Sequence, residues 1–144
     1  QLYGFCKSFI ENRLVRINSS IDSLQEALTS ETKSSAGDKH ETGRAMIQLE
    51  REKLGNQLAE AQLLQELFKK IPLQSSSSQV GLGSLVLTDQ QNYYMGISAG
   101  ELKLEGVSYY AIAPNTPIGK LLLGKAVGDM VVFNSRKIVI RQIE

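Results

Sequence analysis

Apolar residues in the first third of the chain recur at alternating intervals of four and three. Ile10, Leu14, Ile17, Ile21, Leu24 and Leu28 form this stripe, and the residues between them (Glu11, Asn12, Arg13, Arg16, Asn18, Ser19, Ser20) are mostly polar. Such spacing puts the stripe on one face of a helix, the seam along which it packs lengthwise on a partner. A second helix is predicted from about Lys39 to Lys70, with Ile47, Leu54, Leu58, Ala61, Leu64 and Phe68 as apolar positions. Between the two lies Thr29-Ser30-Glu31-Thr32-Lys33-Ser34-Ser35-Ala36-Gly37, small, polar and poor in anything to bury. Two amphipathic helices joined this way fold back as an antiparallel hairpin, an intramolecular coiled coil rather than a dimeric one. A helix of ~26 residues at 1.5 Å each spans ~39 Å. That exceeds what a compact chain of 144 residues can bury, so the hairpin is expected to project and present its tip.

The pattern changes at Pro72. No proline precedes it, and glycines, β-branched residues and tyrosines become frequent after it. Ser75-Ser76-Ser77-Ser78 marks the joint, as a flexible polar linker does. Strands are predicted at Leu85–Thr88, Tyr93–Ile97, Val107–Ile112, Met130–Phe133 and Ile138–Arg141, with turns at Asp89–Asn92 and Asn134–Arg136. Thr116 is placed to cap a short helix with Pro117 at its first position, and Gly124 to end it. The chain therefore reads as α+β. A helical hairpin at residues 1–74, with an acidic tip near 36–42, precedes a small antiparallel β domain at 79–144.

Composition narrows the function. Hydrophobic residues make up 42%, charged residues 22%, and the net charge is +1. This is a globular balance without the basic excess of a nucleic-acid-coating surface. The single cysteine, Cys6, permits no internal disulfide and fits a reducing compartment; on a helix it reads as packing. No apolar run approaches the ~20 residues that cross a bilayer. A cytoplasmic protein without a membrane partner is expected, and a monomer.

The candidate chemistry lies in Gly37-Asp38-Lys39-His40-Glu41-Thr42. Asp38 and Glu41 at a helix start have the spacing of a capping box, which satisfies backbone N–H groups for about 1 kcal/mol. The same carboxylates could instead serve as ligands for a hard cation. Asp38, His40 and Glu41 are too close in sequence to surround an ion from one helix face, so no metal site of the chain's own is expected. Gly81-Leu82-Gly83 is too short for a nucleotide-binding loop.

Two segments resemble the Gre transcript-cleavage factors of bacteria. Gly37-Asp38-Lys39-His40-Glu41-Thr42 is similar to the family's hairpin-tip motif, Gly-Asp-x-x-Glu-Asn. Thr116-Pro117-Ile118-Gly119-Lys120-Leu121-Leu122-Leu123-Gly124-Lys125-Ala126-Val127-Gly128-Asp129 is similar to its C-terminal signature, and the order of the two matches. The resemblance implies a β domain of FKBP-like type and a factor that binds bacterial RNA polymerase through the secondary channel, promoting cleavage of backtracked RNA. It implies that polymerase is the enzyme and this chain is not. Asp38 and Glu41 would act in trans, beside Mg²⁺ in the polymerase site, with no cofactor of the chain's own. The RNA 3′ end and DNA would be reached only through the polymerase.

The tip departs from the family at Thr42, Arg44 and Ala45, where Asn, Glu and Tyr are usual. Two alternatives therefore stay open. One is a channel binder that inhibits or competes without cleavage. The other is a coiled-coil interaction module or FKBP-like chaperone unrelated to transcription. An isomerase pocket would need clustered aromatics, yet the tyrosines come as neighbours, Tyr93-Tyr94 and Tyr109-Tyr110. In a strand only one of each pair can face a given side. Lys120, Lys125, Arg136, Lys137 and Arg141 lend the second domain a basic face; in the Gre family that domain docks near the channel mouth.

Overall fold

The computed structural model describes residues 1–33, 37–73 and 78–144, with the side chains of 31–42 outside the described set. The fold is α+β: two long helices, α1 (Leu2–Lys33) and α2 (Gly37–Lys69), precede a six-stranded sheet and one short helix. The chain divides into two compact units, Ile10–Gln65 and Gln1–Phe9 with Glu66–Glu144.

The first unit is two helices thick. Along α1 the predicted seam is the buried face: Ile10 and Ile17 are buried, and Leu14, Ile21, Leu24 and Leu28 half-buried. Nearly every intervening residue is exposed. On α2 the matching stripe is Ile47, Leu54, Leu58, Ala61 and Leu64, with Leu54 and Ala61 the most deeply buried. Ile21, Leu24 and Leu28 line the same concavity as Ile47 and Leu54, whereas Arg13 and Ile17 share one with Gln57 and Glu60. Later residues of α1 thus meet earlier residues of α2, as in an antiparallel pair. The polar segment predicted as a loop is shorter than expected, because α1 runs on through Lys33. Its small polar residues can remain helical when they bond to the preceding turn, and the Thr29 hydroxyl donates to the Gln25 carbonyl at 3.0 Å.

In the second unit the strands are β1 (Leu85–Thr88), β2 (Asn92–Met95), β3 (Gly100–Leu104), β4 (Val107–Ile112), β5 (Met130–Phe133) and β6 (Arg136–Ile143). They lie in the order β3-β4-β2-β1-β6-β5. The expected all-antiparallel sheet needs one correction: β2 and β4 run parallel, with Tyr93 opposite Tyr110. The cause is β3, a strand the hydrophobic pattern did not announce. It pairs antiparallel with β4 at the sheet edge, so the chain reverses once more before β4 reaches β2. Glu105 and Gly106 take the left-handed conformation that the tight turn into β4 requires, and Gly100 takes it where β3 begins.

Helix α3 (Pro117–Leu122) follows β4. Ile118 and Leu122 join Val86, Tyr93, Met95, Ile112, Val131, Ile138 and Ile140 in one buried cluster. Tyr94, one residue along from Tyr93, points to the opposite side of the sheet. That side is met by the ends of the long helices. Cys6 is fully buried, Leu2, Phe68 and Ile71 nearly so, and Tyr3 stacks obliquely on Phe68 with ring centroids 4.7 Å apart. Gly96 permits the closest approach, since a Cβ there would stand 2.5 Å from Ile71 Cδ1.

Two outcomes follow. Gly96→Ala should destabilise the protein by about 1–3 kcal/mol, as overpacking does, and Ile71→Val should restore most of the loss by removing the opposing methyl; urea unfolding of both single variants and the double checks this. Burial also pushes the Cys6 thiol from 9.0 to about 11. Burial, then the neighbouring Cys6 and Tyr3, push the Tyr94 phenol from 10.0 to about 12. The folded state holds protons that the unfolded chain releases, so stability is intact below pH 9 and falls as pH rises toward 12. Tyr94→Phe should flatten the upper part of that decline in unfolding curves taken across the range.

Candidate functional site

Residues 37–42 fall at the N-terminal end of α2, which opens at Gly37. This is the positive end of the helix, where carboxylates are favoured. The side chains of Asp38, His40 and Glu41 lie outside the described residues, and so do any capping bonds they make. Among the described residues no three His, Cys, Asp or Glu side chains gather as a metal site would need.

Behind the tip the seam loosens. Glu50 and Arg51 occupy the turn between Ile47 and Leu54, and both are exposed. Ile21, Leu24, Leu28, Ile47 and Leu54 consequently wall a groove of about 360 Å³, with Arg51 and Gly55 at its edge. A full coiled-coil seam would place an apolar knob there. On the outer side, Met46 and Leu49 are each about two-thirds exposed. They sit one turn apart, a surface feature that the seam pattern did not single out. Arg44 and Ala45, which replace the acid and aromatic usual in the Gre motif, are also exposed.

The C-terminal signature has a different character, because the fold accounts for its residues one by one. Thr116 caps α3, its hydroxyl accepting from the Gly119 N–H at 3.1 Å and donating to the Ala113 carbonyl at 2.7 Å. Pro117 takes the first helical position, where no N–H is needed. A Cβ at Gly119 would collide with the Ala113 carbonyl. Leu122 is fully buried. Gly124 and Gly128 take left-handed conformations while donating to the Val80 and Ile140 carbonyls at 2.8 Å. Asp129 accepts from the Ala126 N–H at 2.8 Å. The signature thus encodes how α3 is seated and how the chain turns into β5. Lys120 and Lys125 are left exposed.

Gly81–Gly83 is a tight turn. Ser84, fully buried, accepts from the Gly81 N–H at 2.9 Å, and Gly83, at φ +85°, packs against Pro72. Two groups of polar residues escaped sequence reasoning because their partners lie on separate strands. Glu101 on β3 accepts from the Tyr110 and Ser108 hydroxyls of β4 at 3.0 and 3.1 Å. Asp89 receives the Val139 N–H of β6 at 2.9 Å. The hydrogen bond to Glu101, and then its charge, raise the Tyr110 phenol above its ordinary value.

No protein-family model matches the chain, and no curated protein matches it. Among solved structures it is similar to GreA factor homolog 1 (Gfh1) of Thermus thermophilus, at 20% identity and a TM-score of 0.38, over 94% of this chain and 92% of that one. It is also similar to a structure of the transcription factor Gfh1, at 19% identity and a TM-score of 0.36, over 98% and 92%. At this identity and overlap neither likeness transfers a residue role.

Gly55 gives the loosened seam a test. A Cβ there would meet nothing within 4 Å, and glycine inside a helix costs roughly 0.5–1 kcal/mol relative to alanine. Gly55→Ala should therefore stabilise the helical pair by about that amount, read from the helical circular-dichroism signal in urea.

Proposed function

We propose that the protein is a Gre-like transcription factor that binds bacterial RNA polymerase by inserting its helical pair into the secondary channel. The observation that carries this reading is the bare two-helix unit. Among the described residues its seam is buried and its other faces are exposed, and α2 opens at the segment that resembles the Gre tip motif. Two helices packed 8–10 Å apart make an arm about 20 Å across, slim enough for a channel. The helix-seating signature that resembles the Gre C-terminal motif supports the same reading from the other unit.

At the polymerase active site the tip would supply what phosphodiester hydrolysis lacks. Hard cations such as Mg²⁺ take oxygen ligands and keep several waters. Asp38 and Glu41 would add negative oxygens beside the polymerase's Mg²⁺ and orient the attacking water, so that backtracked RNA is cleaved. The chemistry would belong to polymerase, with this chain lending carboxylates in trans. A second reading is favoured by one feature: Arg44 and Ala45 stand exposed where the Gre motif has an acid and an aromatic. It makes the protein a channel occupant that inhibits or competes without cleavage.

Backtracked elongation complexes built with the source organism's polymerase separate the two. Release of short 3′ RNA fragments by the wild type, and a loss of about 100-fold or more on removing both catalytic carboxylates (Asp38→Asn with Glu41→Gln), is the expected result. Slowed elongation without cleavage would select the second reading. No binding to polymerase would overturn both.

A further inference from the structure

Helix α3 is too short to cover the sheet. Its six residues span about 9 Å, and the buried cluster beneath it continues past its reach. At the end of the sheet away from Thr116, where β2 begins and β5 turns into β6, the same face opens into a cleft of about 390 Å³. That size falls in the lower range of small-ligand sites. Tyr93 and Ile138, both buried, form the floor, and half-buried Phe133 forms a wall. Tyr110 sits behind Tyr93 with ring centroids 6.4 Å apart. One tyrosine of each neighbouring pair therefore does face this side.

The rims are two tight turns. In the β1–β2 turn, the Thr88 hydroxyl accepts from the N–H groups of Gln90 and Gln91 at 3.1 and 3.0 Å. In the β5–β6 turn, Asn134 and Ser135 are both left-handed, at φ 51° and 65°, the geometry of a two-residue hairpin. These turns hold Gln90, Gln91, Asn134 and Arg136 over the cleft. Arg136 is the one ionised group lining it, and among the described residues it has no carboxylate partner. Asp89, next to Gln90 in the chain, is engaged with the Val139 N–H.

We infer that this cleft binds a short peptide segment bearing a carboxylate next to an apolar side chain. The apolar side chain would lie against Tyr93 and Phe133. The carboxylate would pair with the guanidinium fork of Arg136, which suits it geometrically. The side-chain amides of Gln90 and Asn134 offer both donors and acceptors for peptide groups, while the Gln91 side-chain oxygen accepts from the Tyr93 hydroxyl at 3.3 Å. A single cation is too little charge to hold a nucleic-acid backbone. The inference stands on the cleft alone and does not depend on the polymerase reading.

The test is an amide-resolved NMR titration of the full chain with acetyl-Leu-Glu-amide and acetyl-Leu-Gln-amide. Saturable shifts confined to residues 90–93 and 133–138 are expected for the Glu peptide. Affinity for the Gln peptide should be about tenfold lower, the effect of losing one charge-assisted bond. Arg136→Gln, an exposed substitution that leaves the rest of the spectrum in place, should remove the preference. Equal binding of the two peptides, shifts that persist unchanged in the variant, no saturable shift at the cleft, or binding of a uridine oligonucleotide there in preference to the Glu peptide would each overturn it.

Discussion

Ile71 rests against the bare backbone of Gly96, and much of the second unit is organised around that approach. Because Gly96 has no side chain, the end of α2 can come down onto the sheet. Phe68 then reaches Tyr3, and Cys6 is sealed beside Tyr94. The sheet is buried from both sides as a result, by α3 on one face and by helix ends on the other. A sheet of this size buried on one face only would leave Tyr94 and Ala111 in water, yet both are buried. The groups enclosed this way are neutral at physiological pH, which is why the Cys6 thiol belongs to packing rather than to chemistry.

Much of this was readable from residue order. The seam of α1 emerged at the spacing that Ile10 to Leu28 display, because a helix buried along one stripe records its period directly. The boundaries of β1, β4 and β5 were equally plain, as was the capped start of α3, where Thr116 and Pro117 act on their own backbone. What escaped were features decided between distant residues. Strand β3 begins at a left-handed glycine and carries Glu101 and Lys103, and charge is what an edge strand tolerates. The parallel pairing of β2 with β4 follows from β3 and has no local signature. In the first turns of α1 the seam is interrupted, because Lys7 stands seven residues before Leu14. Cys6 and Tyr3 lie beside Tyr94 of the sheet there, and Tyr3 also stacks on Phe68.

The two segments that resemble Gre motifs turn out to be different kinds of sequence. The C-terminal one is a set of instructions to the backbone: a cap, a missing N–H, an absent Cβ and two left-handed glycines. Such a pattern speaks for a fold. The tip segment opens α2, at the positive end of the helix, and its resemblance rests on residue identity alone. Behind it, Arg51 stands exposed between Ile47 and Leu54 and the seam opens into a groove, whereas Ala61 is fully buried.

The compact unit that contains the sheet is assembled from two stretches of chain separated by the whole of Ile10–Gln65. During synthesis, Leu2, Tyr3 and Cys6 are made long before Tyr94 exists to cover them. The helical pair, built from residues near one another along the chain, can form while the ribosome is still working. Its lower end must then wait, apolar and uncovered, for the strands to emerge. Translation order thus gives this molecule an interval of vulnerability at its first helical turns, and folding closes it only when the second strand is in place.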